Sequence, residues 1–238
     1  MINQLLKQVL LQNELGGNKS LAYKLSLAHG GKSGPSFGVS QFDIANNQYG
    51  KNLLRRICKD IPDVLDKYLS NGFAFGWDRV DQVLVDRISK EIRLNSELVD
   101  LADEKQVNDL LQYCYSVCNL PKDPNLSSFQ KEVIIVLADT VNQFGNGVSG
   151  IHKDSGTVIL CKDFLGRDSV IPGEFIEAMR ARKLSWKWGK KEPHDVNRRL
   201  NNILDVMNID FTGDAVSVDD SADEPITRDS ASWILGEE

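Results

Sequence analysis

From residue 48 to residue 207 apolar side chains recur at i, i+3, i+4 and i+7, while the one clear two-residue alternation lies earlier, over Leu21 to Ala28. A chain patterned this way must bury helix faces against one another and can build only a small sheet. The spacing predicts helices over Gln48–Asp60, Pro62–Leu69, Trp77–Leu94, Glu97–Cys118, Ser127–Phe144, Pro172–Lys183 and Pro193–Met207. Ser127 and Ser128 suit a helix cap, and Pro172 and Pro193 suit first-turn positions. Ahead of these, Ile2, Leu5, Leu6, Val9 and Leu10 form the apolar stripe of a further helix, which ends near Glu14 at Gly16-Gly17. Leu21 to Ala28 reads as a half-buried strand, and His29 to Ser36 as a turn leading to a second extended run, Phe37 to Phe42. Val158 to Phe164 is short and β-branched enough for a strand or an irregular segment. The expected class is mainly α (α+β), a small hairpin beside a helical bundle.

The 238 residues suffice for one large domain or two small ones. The apolar runs, such as Val133 to Ala138, stop well short of the roughly 20 residues that span a bilayer, so no membrane span is expected. The first residues lack the basic region of a secretory signal, which predicts synthesis in the cytoplasm. Net charge is −6, but Asn208 to Glu238 alone carries −8, leaving a body of +2. No dense Lys/Arg stripe marks a nucleic-acid interface. Arg182, Lys183, Lys187, Lys190 and Lys191 around Trp186 and Trp188 read as a solvated helix end with one anchored tryptophan. Four cysteines, at 58, 114, 118 and 161, and three histidines show no metal-ligand spacing; no metal and no cofactor are expected, and the thiols read as buried and reduced.

Chemistry concentrates between residues 14 and 43. Glu14 ends a helix among Leu10, Leu11 and Leu15, and both desolvation and a helix C-terminus favour a protonated carboxyl. Asp43 follows Ser36, Ser40 and Gln41, which suit an ionised one. Two carboxyls tuned in opposite senses across a cleft are what glycosidic cleavage requires. Each also has a plainer reading: Glu14 as an exposed helix-end acid, Asp43 as a turn cap.

The stretch Glu14-Leu-Gly-Gly through Lys32-Ser-Gly-Pro-Ser-Phe-Gly-Val-Ser-Gln-Phe-Asp43 resembles the active-site lobe of the lysozyme-like superfamily, which includes phage endolysins, lytic transglycosylases and chitosanases. A fainter likeness joins Val141-Asn-Gln-Phe-Gly-Asn146 to the Tyr-Asn-Ala-Gly element of transglycosylases, with Val141 in place of the tyrosine and one extra residue before the glycine. The resemblance implies a two-lobed fold with Glu14 as general acid, and a Gly38-x-x-Gln41 element lining the sugar groove.

On this basis residues 1–210 are expected to form a glycan-cleaving domain, with a helix-plus-hairpin lobe over 1–47 and a helical lobe over 48–210. Residues 211–238 are expected to form a flexible acidic tail, able to engage a delivery or partner protein through Trp233-Ile-Leu235. Expected catalytic residues are Glu14 and Asp43; expected substrate-binding residues are Ser40, Gln41, Tyr23, Asn142 and Gln143. The expected substrate is a β-1,4-linked amino-sugar polymer, peptidoglycan first and chitosan or chitin second, reached in the periplasm or cell wall after separate delivery. Substrate-stage alternatives are a muramidase, a lytic transglycosylase or a chitosanase-like hydrolase, and the rival of another class is a non-catalytic interaction protein on the same scaffold.

Overall fold

A computed structural model describes residues 2–27, 34–44, 46–61, 82–146 and 150–209. The expected helix at 62–69, the start of the one at 77–94, and the tail at 211–238 lie outside the described residues. The chain is mainly helical, as its periodicity predicts. In order come α1 (Ile2–Leu15), a 3-10 turn (Lys19–Tyr23), a two-stranded antiparallel hairpin of β1 (Ser36–Phe37) and β2 (Phe42–Asp43), then α2 (Gln48–Ile57) and α3 (Gln82–Leu94). After these follow α4 (Ser96–Val117), α5 (Ser128–Phe144), α6 (Gly156–Leu165), α7 (Glu174–Ser185), α8 (Lys187–Lys191) and α9 (Pro193–Met207). Among the described residues no helix is long and apolar enough to cross a membrane.

α5 organises the molecule. A capping box at Ser127 and Gln130 starts it, and every residue from Glu132 to Asn142 is buried, the mark of a helix enclosed on all sides. α1, α4, α6, α7 and α9 pack around it. Such a helix can carry polar side chains only if each is paired. Glu132 accepts the backbone N–H groups of Gly173 (3.1 Å) and Ile176 (3.3 Å), capping α7. Thr140 donates to the Val136 carbonyl one turn back. Asp139 and Asn142 belong to the site described below.

Buried side chains fall into two clusters. The larger gathers α1, the C-terminal half of α4 and α5 to α9. The smaller joins Phe37, Phe42 and Ile44 of the hairpin to Leu53, Leu54 and Ile57 of α2, Val85, Ile88 and Ile92 of α3, and Val99 and Ala102 at the start of α4. α1 packs with the larger cluster, while α2 and α3 belong to the smaller one with the hairpin.

Four local expectations need correction. The described part of that run, Leu21 to Leu27, is not a strand: Asn18 accepts the Ser20 N–H and starts a 3-10 turn, and of these residues only Ser26 pairs in an isolated bridge, with Ser36. Phe37 to Phe42 is not one extended run but the hairpin itself, reversing through Gly38 to Gln41. Val158 to Phe164 is helical, started by the Ser155 side chain accepting the Val158 N–H. Pro193 holds the first-turn position of α9, whereas α7 begins after Gly173, beyond Pro172.

Candidate functional site

The end of α1 is set by two glycines. Gly16 (φ 58°) and Gly17 (φ 80°) occupy the left-handed region, and their N–H groups bond to the carbonyls of Gln12 and Leu11. This turn leaves Glu14 on the last turn of the helix with its side chain about 20% exposed. Leu10 and Leu15 point into the core. The expected apolar surround of Glu14 is therefore absent. Its Oε1 instead accepts from Asn142 Nδ2 and from Arg199 Nη2, each at 3.0 Å, and no hydrogen bond to Oε2 is made by a described residue.

Behind Glu14 lies a buried charge network that the sequence reading missed. Asp139 is fully buried and accepts from Arg199 Nη2 (2.6 Å), from Arg199 Nε (3.3 Å) and from Asn13 Nδ2 (3.0 Å). Lys183 Nζ lies 4.0 Å from Asp139 and donates to Gln143 Oε1 at 3.3 Å. Burial alone would raise the Asp139 carboxyl, but the Arg199 and Lys183 charges hold it below its usual range. Burial lowers Lys183 to about 8 despite Asp139. Arg199 is held more firmly protonated than usual: burial opposes its charge, and Asp139 and Glu14 outweigh it. Asp139 lies between the two cations Arg199 and Lys183, so each buried charge has an opposite partner, the condition under which buried charges are tolerated. Lys183 and Arg182 are 1% and 6% exposed, which corrects the solvated reading for these two; Lys187, Lys190 and Lys191 are exposed as expected, and Trp186, buried, is the anchor. The available signal was Asp139 standing alone in an unbroken apolar stretch, where an acid must find a buried cation.

Asn142 connects this network to a cleft between the hairpin and the helices, lined by Ser40, Gln41, Phe42, Asp43, Asn46, Asn47, Gln106, Leu110, Val141, Asn142 and Gly145. One wall is the hairpin turn. Gly38 (φ 79°) allows its reversal, and a Cβ there would stand 2.9 Å from the Phe42 ring and 3.0 Å from Asp103 Oδ1. Asp103 of α4, fully buried, receives the N–H groups of Val39 (2.8 Å) and Ser40 (3.0 Å), one on each oxygen. Burial raises its carboxyl, and those two donors offset part of the shift.

Of the expected substrate-binding residues Ser40, Gln41 and Asn142 line this cleft, as does the expected catalytic Asp43, and Glu14 adjoins it through Asn142. Gln41 also closes the hairpin, donating to the Gly38 carbonyl (2.8 Å) and accepting from Ser36 Oγ (2.7 Å). Asp43 Oδ1 accepts the Gly34 N–H (3.0 Å) and the Asn46 N–H (3.3 Å), and Oδ2 accepts from Asn46 Nδ2 (3.0 Å). Two residues are not brought to the cleft. Tyr23 donates its hydroxyl to Asp100 (2.9 Å), and Gln143 spans Lys183 and Asp195. Among the described residues no cluster of His, Cys, Asp and Glu could hold a metal ion, and Cys58, Cys114, Cys118 and Cys161 are buried free thiols. No protein-family model, curated protein or solved structure matches the chain.

Proposed function

We propose that this chain cleaves β-1,4 glycosidic bonds in an amino-sugar polymer, peptidoglycan first and chitosan or chitin second, on a two-lobed lysozyme-like fold with Glu14 as the general acid. The observation that carries the reading is the unequal treatment of the two Glu14 oxygens. Oε1 is held by Asn142 and Arg199. Oε2 is the oxygen left to hold a proton and deliver it to a leaving glycosidic oxygen. The two buried clusters, with a cleft between hairpin and helices, support the two-lobed reading.

Glu14 protonates the leaving oxygen as the bond to the anomeric carbon breaks. The oxocarbenium-like centre is then captured by water activated at Asp43, or by the neighbouring acetamido oxygen. Mass spectrometry of the products separates a hydrolase from a transglycosylase, since only the latter leaves 1,6-anhydro ends. The deciding experiment is zymography on purified peptidoglycan and on chitosan, with the wild type and Glu14→Gln. Clearing by the wild type with a loss of at least about two orders of magnitude in the variant is expected, at an unchanged melting temperature. Equal clearing by both would remove Glu14 from the mechanism.

A further inference from the structure

Away from the cleft, three of the four free thiols meet in the larger buried cluster. Cys118, the residue that ends α4, is joined by a side-chain hydrogen bond to Cys161 in α6, and Cys114 lies one helical turn before Cys118. Their burial is unequal: Cys118 keeps 7% exposure, whereas Cys114 and Cys161 have none. Burial pushes the Cys114 and Cys161 thiols well above the ordinary 9.0, and Cys58, in the smaller cluster, up to about 12. Cys118 moves the other way. The Cys161 hydrogen bond lowers it, burial opposes that shift, and the Lys162 charge assists it. Among the described residues no group of three or more His, Cys, Asp and Glu is placed to hold a metal ion, which leaves the covalent chemistry of the pair itself.

We propose that Cys118 and Cys161 form a reversible redox site, oxidised to a disulfide by a small hydroperoxide, with Cys118 as the attacking sulfur and Cys161 as the resolving one. A sulfur that keeps some exposure and ionises, in contact with a buried protonated thiol, has the division of labour that such a site needs. In the first step the Cys118 thiolate attacks one peroxide oxygen. An S–O bond forms, the O–O bond breaks, and hydroxide leaves, which gives the sulfenic acid. The Cys161 sulfur then attacks the Cys118 sulfur. The S–S bond forms, the S–O bond breaks, and the departing hydroxide takes the Cys161 proton as water. Two thiols have lost two electrons, and the peroxide has been reduced to water. The narrow exposure of Cys118 admits an oxidant of peroxide size and disfavours a protein disulfide, which would have to reach a sulfur beneath the surface. Because Cys161 waits in contact, Cys118 passes to the disulfide before further peroxide can carry it to the irreversible sulfinic acid. The site stands apart from the cleft and does not depend on the glycan-cleaving reading.

The test exposes the folded full chain to hydrogen peroxide, alkylates every remaining thiol under denaturing conditions, and maps the peptides by mass spectrometry. The expected product is a peptide pair crosslinked through Cys118 and Cys161, released by dithiothreitol, with alkylation of these two residues largely lost and that of Cys58 and Cys114 unchanged. In Cys161→Ala the Cys118 sulfenic acid has no resolving sulfur and should be trapped by dimedone, which leaves the wild type unlabelled. Cys118→Ala should keep Cys161 alkylated after the same exposure. The wild-type peptide map decides the assignment even if either variant folds poorly. Four thiols alkylated alike, a disulfide from Cys114 to either partner, or Cys118 driven to sulfinic acid beside a free Cys161 would each overturn the site.

Discussion

Arg199 Nη2 lies 3.0 Å from Glu14 Oε1, so that the last described helix holds the end of the first across 185 residues of sequence. The same nitrogen is 2.6 Å from Asp139. Position and charge of the candidate acid are thus tied to a buried aspartate that never reaches the cleft. Replacing Arg199 by Met leaves Asp139 and Lys183 buried with a poor partner in each other, 4.0 Å apart. A loss of about 3–5 kcal/mol is expected in urea unfolding. Arg199→Lys should recover part of it by keeping the charge, yet lose the fork that reaches Asp139 and Glu14 together.

The hairpin wall depends on Gly38 and Asp103 in a different way. Gly38→Ala places a Cβ within 3.0 Å of both the Phe42 ring and Asp103, at a φ of 79° that alanine rarely adopts. A destabilisation of about 2 kcal/mol is expected. Asp103→Asn replaces an acceptor by a donor facing the Val39 or Ser40 N–H. Amide hydrogen exchange at those two residues should accelerate while exchange in α5 stays slow, because the anchor is local to the turn.

These examples show what the sequence could and could not reveal. α9 was legible to its ends, because Pro193 fits the first turn and Val196, Leu200 and Ile203 mark one face. α6 was not. Val158 to Phe164 is too short and too β-branched for its period to decide, and its helicity comes from the Ser155 cap and from packing on α5. The alternation over Leu21 to Ala28 misled because a side-chain bond at Asn18 set the backbone locally. Glu14 and Gln41 were singled out by the resemblance of the stretch that holds them, since a glutamate at a helix end and a glutamine in a turn are commonplace by themselves. The network of Asp139, Lys183 and Arg199 could not, since its members lie on three helices and pairing between them is a property of the tertiary packing.

Glu132 gives a stability profile on the acid side. Burial raises its carboxyl above the ordinary 4.5, with the Gly173 and Ile176 N–H groups offsetting part of the shift. The folded chain therefore takes up this proton before the unfolded chain does. The resulting stabilisation is full below about pH 4.5 and is lost as pH rises through the raised value. Urea unfolding across that range should show the stability of the wild type falling relative to Glu132→Gln as pH increases. A difference independent of pH would mean that Glu132 titrates normally.

Lys183 sets the alkaline side with the opposite shift. Burial lowers its ammonium from 10.5 to about 8, and the pull of Asp139 restores only part of the loss. Between those two values the unfolded chain binds a proton that the folded chain has released, so stability contributed by neutral Lys183 is present above 10.5 and is lost as pH falls through about 8. Lys183→Met, which cannot titrate and fills a similar volume, serves as the reference. Measured by urea unfolding, the wild type should gain stability relative to this variant from about pH 8 upward, reaching a plateau near pH 10.5. Its Gln143 partner, which accepts from Lys183 at 3.3 Å, supplies a control. Gln143→Leu takes that acceptor from the ammonium, which should move the onset of the gain to lower pH. A flat difference across the whole range would show that Lys183 keeps its proton when buried and that Asp139 holds both cations ionised together.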